Sequence, residues 1–169
     1  MKRYVLGLFT ALALLFSCSS DDNGGGNETP TDEKLVGTWD FTRVEIDDAF
    51  SNDDLDFAKE IVDALVADGC ILLTLVFSAD GTLEIQERDY EDIEIAVNSG
   101  GTGLDIGCPT TQFTETASWR LSGDRLTVTF SDDTEEVVTI SISGDELTAD
   151  AEFVDEDNLQ NADAIFTKR

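Results

Sequence analysis

Leu126-Thr127-Val128-Thr129-Phe130 alternates apolar and polar residues without a break, between Ser122-Gly123-Asp124 on one side and Ser131-Asp132-Asp133 on the other. Period two puts Leu126, Val128 and Phe130 on one face of a strand and Thr127 and Thr129 on the other, one face buried and one wet. The flanking Gly-Asp and Asp-Asp pairs are turn chemistry, and turns this short return the chain antiparallel. The same pattern extends in both directions. Downstream of Ser143-Gly144-Asp145, the residues Leu147, Ala149, Ala151 and Phe153 alternate with Thr148, Asp150 and Glu152. Upstream, Ile93, Ile95 and Val97 alternate with Asp92, Glu94 and Ala96, and Ser78-Ala79-Asp80-Gly81 marks another turn. The pattern predicts an all-β domain over residues 33–169, an antiparallel meander of about eight or nine strands. A meander has two unpaired edges, and closure into a barrel removes both.

One segment departs from period two. Ser51-Asn52-Asp53-Asp54 carries helix-start chemistry, with Ser51 as the cap and acids in the first turn. Ala58, Ile61, Val62 and Leu65 follow at helical spacing, and Asp68-Gly69 supplies the stop. The spacing predicts a helix over about 53–68, inserted after the first strand. The next strand, Ile71 to Phe77, is apolar at nearly every position, so both its faces are expected to be buried, one of them under this helix.

Ahead of the domain, Lys2 and Arg3 precede an apolar run from Tyr4 to Phe16. In a helix that run rises only about 20 Å, against a bilayer core of about 30 Å, so residues 1–17 are expected to be a signal peptide rather than a membrane span. Residues 18–32, with Gly24-Gly25-Gly26 at their centre, form a flexible acidic tether.

The chain carries 10 basic and 37 acidic residues, a formal charge of −27, and no histidine. That charge repels nucleic acid and anionic lipid and favours cations. The absence of histidine removes the commonest general base and the commonest transition-metal ligand. Besides Cys18 there are two cysteines, Cys70 and Cys108. In an oxidising compartment such a pair is most simply a disulfide, two free thiols being the alternative.

Leu15-Phe16-Ser17-Cys18 resembles a bacterial lipobox, which implies acylation of Cys18 and a membrane held through those chains. Ser20-Asp21-Asp22 looks like the acidic export tag of Bacteroidota surface lipoproteins, which implies a protein on the outer face of the outer membrane. A plain spacer and a periplasm-facing domain are the alternative. Leu35-Val36-Gly37-Thr38-Trp39 resembles the Gly-x-Trp motif of lipocalins. With Phe77-Ser78-Ala79-Asp80-Gly81-Thr82, Ala117-Ser118-Trp119-Arg120-Leu121 and the hairpin that follows, the order is similar to the lipocalin-like domain of Bacteroidota lipoproteins. The resemblance implies a barrel in which Gly37 permits a tight entry and Trp39 plugs one end, both structural. It also implies a small apolar or amphipathic ligand.

If the barrel is hollow, polar residues in inward registers mark its lining. The file of Phe113, Ala117, Trp119 and Leu121 takes in Glu115; that of Leu83 and Ile85 continues to Glu87; that of Trp39 and Phe41 continues to Arg43. Arg43 with Glu87 or Glu115 would then form a polar ligand site at an open mouth, since a charge inside a barrel must be paired or wet. The competing arrangement is a bulge after Phe41 that turns Val44 and Ile46 inward. Acidic clusters at Asp53, Asp54 and Asp56, at Asp132 and Asp133, and at Asp155-Glu156-Asp157 suit either solvated turns or calcium. The last of these lacks the glycine and terminal glutamate of a calcium loop. No motif points to a cofactor or a metal site. The expectation is a monomeric, non-catalytic, lipid-anchored lipocalin-like barrel. The alternatives are an accessory module contacting protein or glycan through its acidic exterior, or a hydrolase built on two carboxylates.

Overall fold

A computed structural model of the chain describes residues 30–90, 93–101, 103–155 and 158–169. The expected signal peptide, Cys18 and the expected tether up to residue 29 lie outside the described residues. Strands β1 (Gly37–Ile46), β2 (Leu73–Phe77), β3 (Thr82–Arg88), β6 (Gln112–Ser122), β7 (Arg125–Thr129), β8 (Glu135–Ser143), β9 (Glu146–Asp150) and β10 (Ala162–Lys168) close into a barrel in the order β1-β10-β9-β8-β7-β6-β3-β2. Every neighbouring pair is antiparallel. The turns act as their chemistry requires: Ser122 pairs with Arg125 across Gly123-Asp124, and Ser143 with Glu146 across Gly144-Asp145. Both glycines hold positive φ at the first turn position, where a side chain would be strained.

Two of the alternating runs end differently from their sequence pattern. Of residues 93–97 only Ile95–Val97 (β4) is a strand, and it pairs with β5 (Leu104–Ile106) in a separate hairpin. Ile95 is 46% and Val97 69% exposed, so of this alternating file only Ile93 packs against the core. The barrel has no place for β4, because β6 already occupies the edge of β3 along its whole length, from Thr82 opposite Ser118 to Arg88 opposite Gln112. The run from Leu147 leaves the sheet at Asp150, and Ala151–Phe153 is a 3₁₀ turn.

Trp39, Phe41, Leu75, Phe77, Leu83, Ile142, Leu147 and Phe166 are buried and fill the barrel. Phe41 and Phe166 pack with ring centroids 5.5 Å apart, and Trp119 meets Phe77 edge to face at 5.6 Å. One end is plugged by α1 (Asp32–Leu35), a single turn that no sequence signal announced. Its last carbonyls are satisfied from the barrel: Trp39 Nε1 donates to Leu35 O at 2.7 Å and Lys168 Nζ to Lys34 O at 2.7 Å. The same ammonium sits 5.0 Å from the centre of the Trp39 ring. Gly37 holds φ +141°, and a Cβ there would lie 2.6 Å from Lys168 Cε.

The opposite end is covered by α2 (Asp53–Ala67), in the connection that leaves β1 and returns at β2. Its cap is Asn52, whose side chain accepts from Asp54 N and Leu55 N; Ser51 instead donates to the Asp56 carboxylate. Gly69, at φ +79°, lets the chain turn out of the helix. Leu55, Val62 and Leu65 are buried. The helix covers the end of the barrel more than one face of β2, although Leu73, Leu75 and Phe77 are buried, as are Thr74 and Leu72. The Cys70–Cys108 disulfide, with Cα atoms 5.7 Å apart, ties the exit of α2 to the segment before β6.

Candidate functional site

Since aromatic and aliphatic side chains fill the barrel near its plug, open space lies at the other end. A cleft of about 640 Å³ runs between α2, the segment after β3 and the connection from β9 to β10. Its floor is Phe41, the innermost side chain before β1 changes register. One wall is the inner stripe of α2, from Leu55 through Ala58, Ile61 and Val62 to Leu65. Tyr90, Ile93 and Ile95 supply the second wall, and Val154 and Leu159 the third. Asn52, Asp54, Asp155 and Asn158 add a polar margin, and among the described residues no lysine or arginine lines the cleft. An apolar body with a few polar groups at one side is the usual make-up of a small-molecule site.

Two groups at this end are chemically unsettled. Tyr90 Oη is buried and has no hydrogen-bond partner among the described residues. An orphaned buried hydroxyl costs about 1–3 kcal/mol. Burial holds its ionisation well above the ordinary phenol range, and the nearby charges of Glu87 and Asp155 push it further the same way. Glu87 is itself half-buried. Its carboxyl is raised above the usual carboxylate range first by burial and then by the like charges of Asp89, Asp155 and Glu115.

Pairing registers place the residues singled out in the sequence. Glu87 stands opposite Leu73 on one side and Phe113 on the other, while Glu115 shares a row with Ile85 and the buried Leu75. Partners across strands share a face, so both glutamates point to the inner side of the barrel, where they line a groove with Ile85 and Phe113. Arg43 does not join them. A bulge leaves Thr42 unpaired between the Phe41–Phe166 and Arg43–Ile165 pairs, so Val44 turns into the core and Arg43 onto the outer wall. There its guanidinium holds Glu45 Oε1 at 2.8 Å and Glu146 Oε1 at 2.7 Å. The expected Arg43–glutamate site at the mouth is thus not formed, and Glu87 and Glu115 stand there without Arg43. Gly37 and Trp39 belong to the plug at the far end.

The sequence reading missed Tyr90 and the role of Phe41 as a floor, and it took Asp155 only as part of an acidic cluster suited to a solvated turn or calcium. Tyr90 follows the end of a strand and belongs to no periodic file, so no pattern pointed to it. The α2 stripe was visible, but its destination was not. The acidic turns are tied into their own loops: Asp132 Oδ1 accepts from Thr134 N and Oγ1, Asp80 Oδ1 from Thr82 N, and Asp155 from Asn158. Among the described residues, no three His, Cys, Asp or Glu side chains gather as a metal site. Glu156 and Asp157 lie outside the described residues.

No curated protein and no solved structure matches the chain. The family profile described as a lipocalin-like domain matches residues 35–149, from the last residue of α1 into β9. With a closed antiparallel barrel, a Gly-x-Trp entry and a plugged end in place, and the profile matching more than half of the chain, the chain belongs to the lipocalin-like domain family.

Proposed function

We propose that this is a lipid-anchored, non-catalytic binding protein that takes a small apolar or amphipathic molecule in the cleft between α2 and the barrel end. The observation that carries the reading is the α2 stripe. Leu55, Ile61, Val62 and Leu65 face a cleft of about 640 Å³ that barrel side chains leave open, a volume within the range of small-molecule sites. The lipobox-like Leu15-Phe16-Ser17-Cys18 and the acidic run after it support acylation of Cys18 and display at the outer membrane surface. The strong negative charge supports a protein that stays monomeric and avoids nucleic acid.

Native mass spectrometry of the protein isolated from its producing cells tests the binding reading. A retained small molecule, lost in an Ile61→Glu variant that keeps its fold, supports it; a ligand-free protein that also fails to take up an apolar fluorescent probe refutes it. Labelling of cells with an alkyne fatty acid tests the anchor. Label that persists in Cys18→Ser removes it.

A carboxylate hydrolase is the second reading, and the raised carboxyl of Glu87 beside Glu115 is what favours it. Turnover of a chromogenic glycoside that disappears in Glu87→Gln would establish it over simple binding.

A further inference from the structure

We propose that the cleft selects an amphipathic cation, with an apolar body laid along α2 and Phe41 and a protonated amine received at its acidic margin beside Tyr90 and Asp155. The inference rests on the binding reading above and adds the charge of the ligand.

Three observations converge on it. The cleft is lined by Asp54 and Asp155 and, among the described residues, by no basic side chain, within a chain of 37 acidic and 10 basic residues. An anionic head group would add a further negative charge to that margin, whereas an ammonium supplies the charge that is missing. The second observation is Tyr90 Oη, buried at the cleft without a partner among the described residues. An ammonium carries three donors and no acceptor, so it can give one hydrogen bond to the phenol oxygen and keep others for carboxylates. The third is Glu87, half-buried on the inner face of the adjoining groove and without an ion pair among the described residues, whose charge bears on Tyr90. Burial without a counter-charge is costly for a carboxylate, and a bound cation removes that cost. The apolar wall and the acidic margin together exclude a fully polar cation and an alkyl anion alike.

The test compares decylamine, decanol and decanoate, which share one alkyl chain, by calorimetry on the full mature protein at neutral pH and moderate salt. The expected order is amine about tenfold tighter than alcohol, with no measurable binding of the carboxylate. Tyr90→Phe and Glu87→Gln are each expected to weaken the amine about tenfold and leave the alcohol unchanged. Asp124→Asn, which makes the same charge change at the plugged end, should leave both unchanged. Equal binding of amine and alcohol, or amine affinity that falls as much in Asp124→Asn as in Glu87→Gln, overturns the cation inference while the apolar cleft stands. Carboxylate binding tighter than amine overturns it as well. Failure of all three to bind, with no uptake of an apolar fluorescent probe, removes the binding reading itself.

Discussion

Trp39 joins three parts of the plug: it is fully buried, donates to Leu35 O, and lies under the Lys168 ammonium. Trp39→Ala is expected to cost about 3–5 kcal/mol, read as a lower denaturation midpoint in urea, because it opens a cavity and leaves the Leu35 carbonyl unpaired. Gly37→Ala should cost about 1–3 kcal/mol, since the Lys168 side chain can swing away but φ +141° remains strained for any residue with a Cβ. Glu87 works in the opposite direction. Its carboxyl is raised in the folded state, so its favourable share of stability is present below the ordinary carboxylate range and is lost as pH rises through the raised value. Glu87→Gln is therefore expected to raise the melting temperature at neutral pH and to make no difference near about pH 4, where wild type and variant are both uncharged. At this scale Gly37 and Trp39 were legible because a short motif sets their role locally. Arg43 was not, because a single extra residue, Thr42, reverses every register after it, and only the pairing with β10 reveals that residue.

The cap, stop and apolar spacing of α2 were readable to within a residue; Asn52 took the capping place because its carbonyl reaches both Asp54 N and Leu55 N. What the helix covers was not readable, since an amphipathic stripe specifies a buried face without naming the surface opposite it. The β4–β5 hairpin shows the converse, a period-two run left exposed because no barrel edge is free to pair with it. The disulfide ties these two elements together. Its loop of 38 residues gives a chain-entropy stabilisation of about 4 kcal/mol as an upper figure. Paired Cys70→Ser and Cys108→Ser substitution should lower the melting temperature. It should also raise amide exchange selectively over α2 and residues 93–111, with β6 to β9 still protected. Uniform loss of protection through the barrel would show that the bridge supports the whole fold instead of its cover.

For the molecule as a whole, turn chemistry made the fold legible. Gly123-Asp124 and Gly144-Asp145 dictate which strands meet, and a meander with so many tight turns closes on itself. The cleft was less legible because its walls come from segments far apart in the chain, which meet only after closure. The charge of −27 predicts one global property. Like charges crowd together on folding and salt screens them, so added sodium chloride should raise the melting temperature steadily over the first few hundred millimolar. No rise would mean that local ion pairs such as Arg169 with Asp40 and Arg43 with Glu146 already offset the repulsion.

The chain enters β1 through α1, so the Trp39 plug and the cleft under α2 lie at opposite ends of the barrel. Whatever enters the cleft must also leave past α2, because the plug closes the far end.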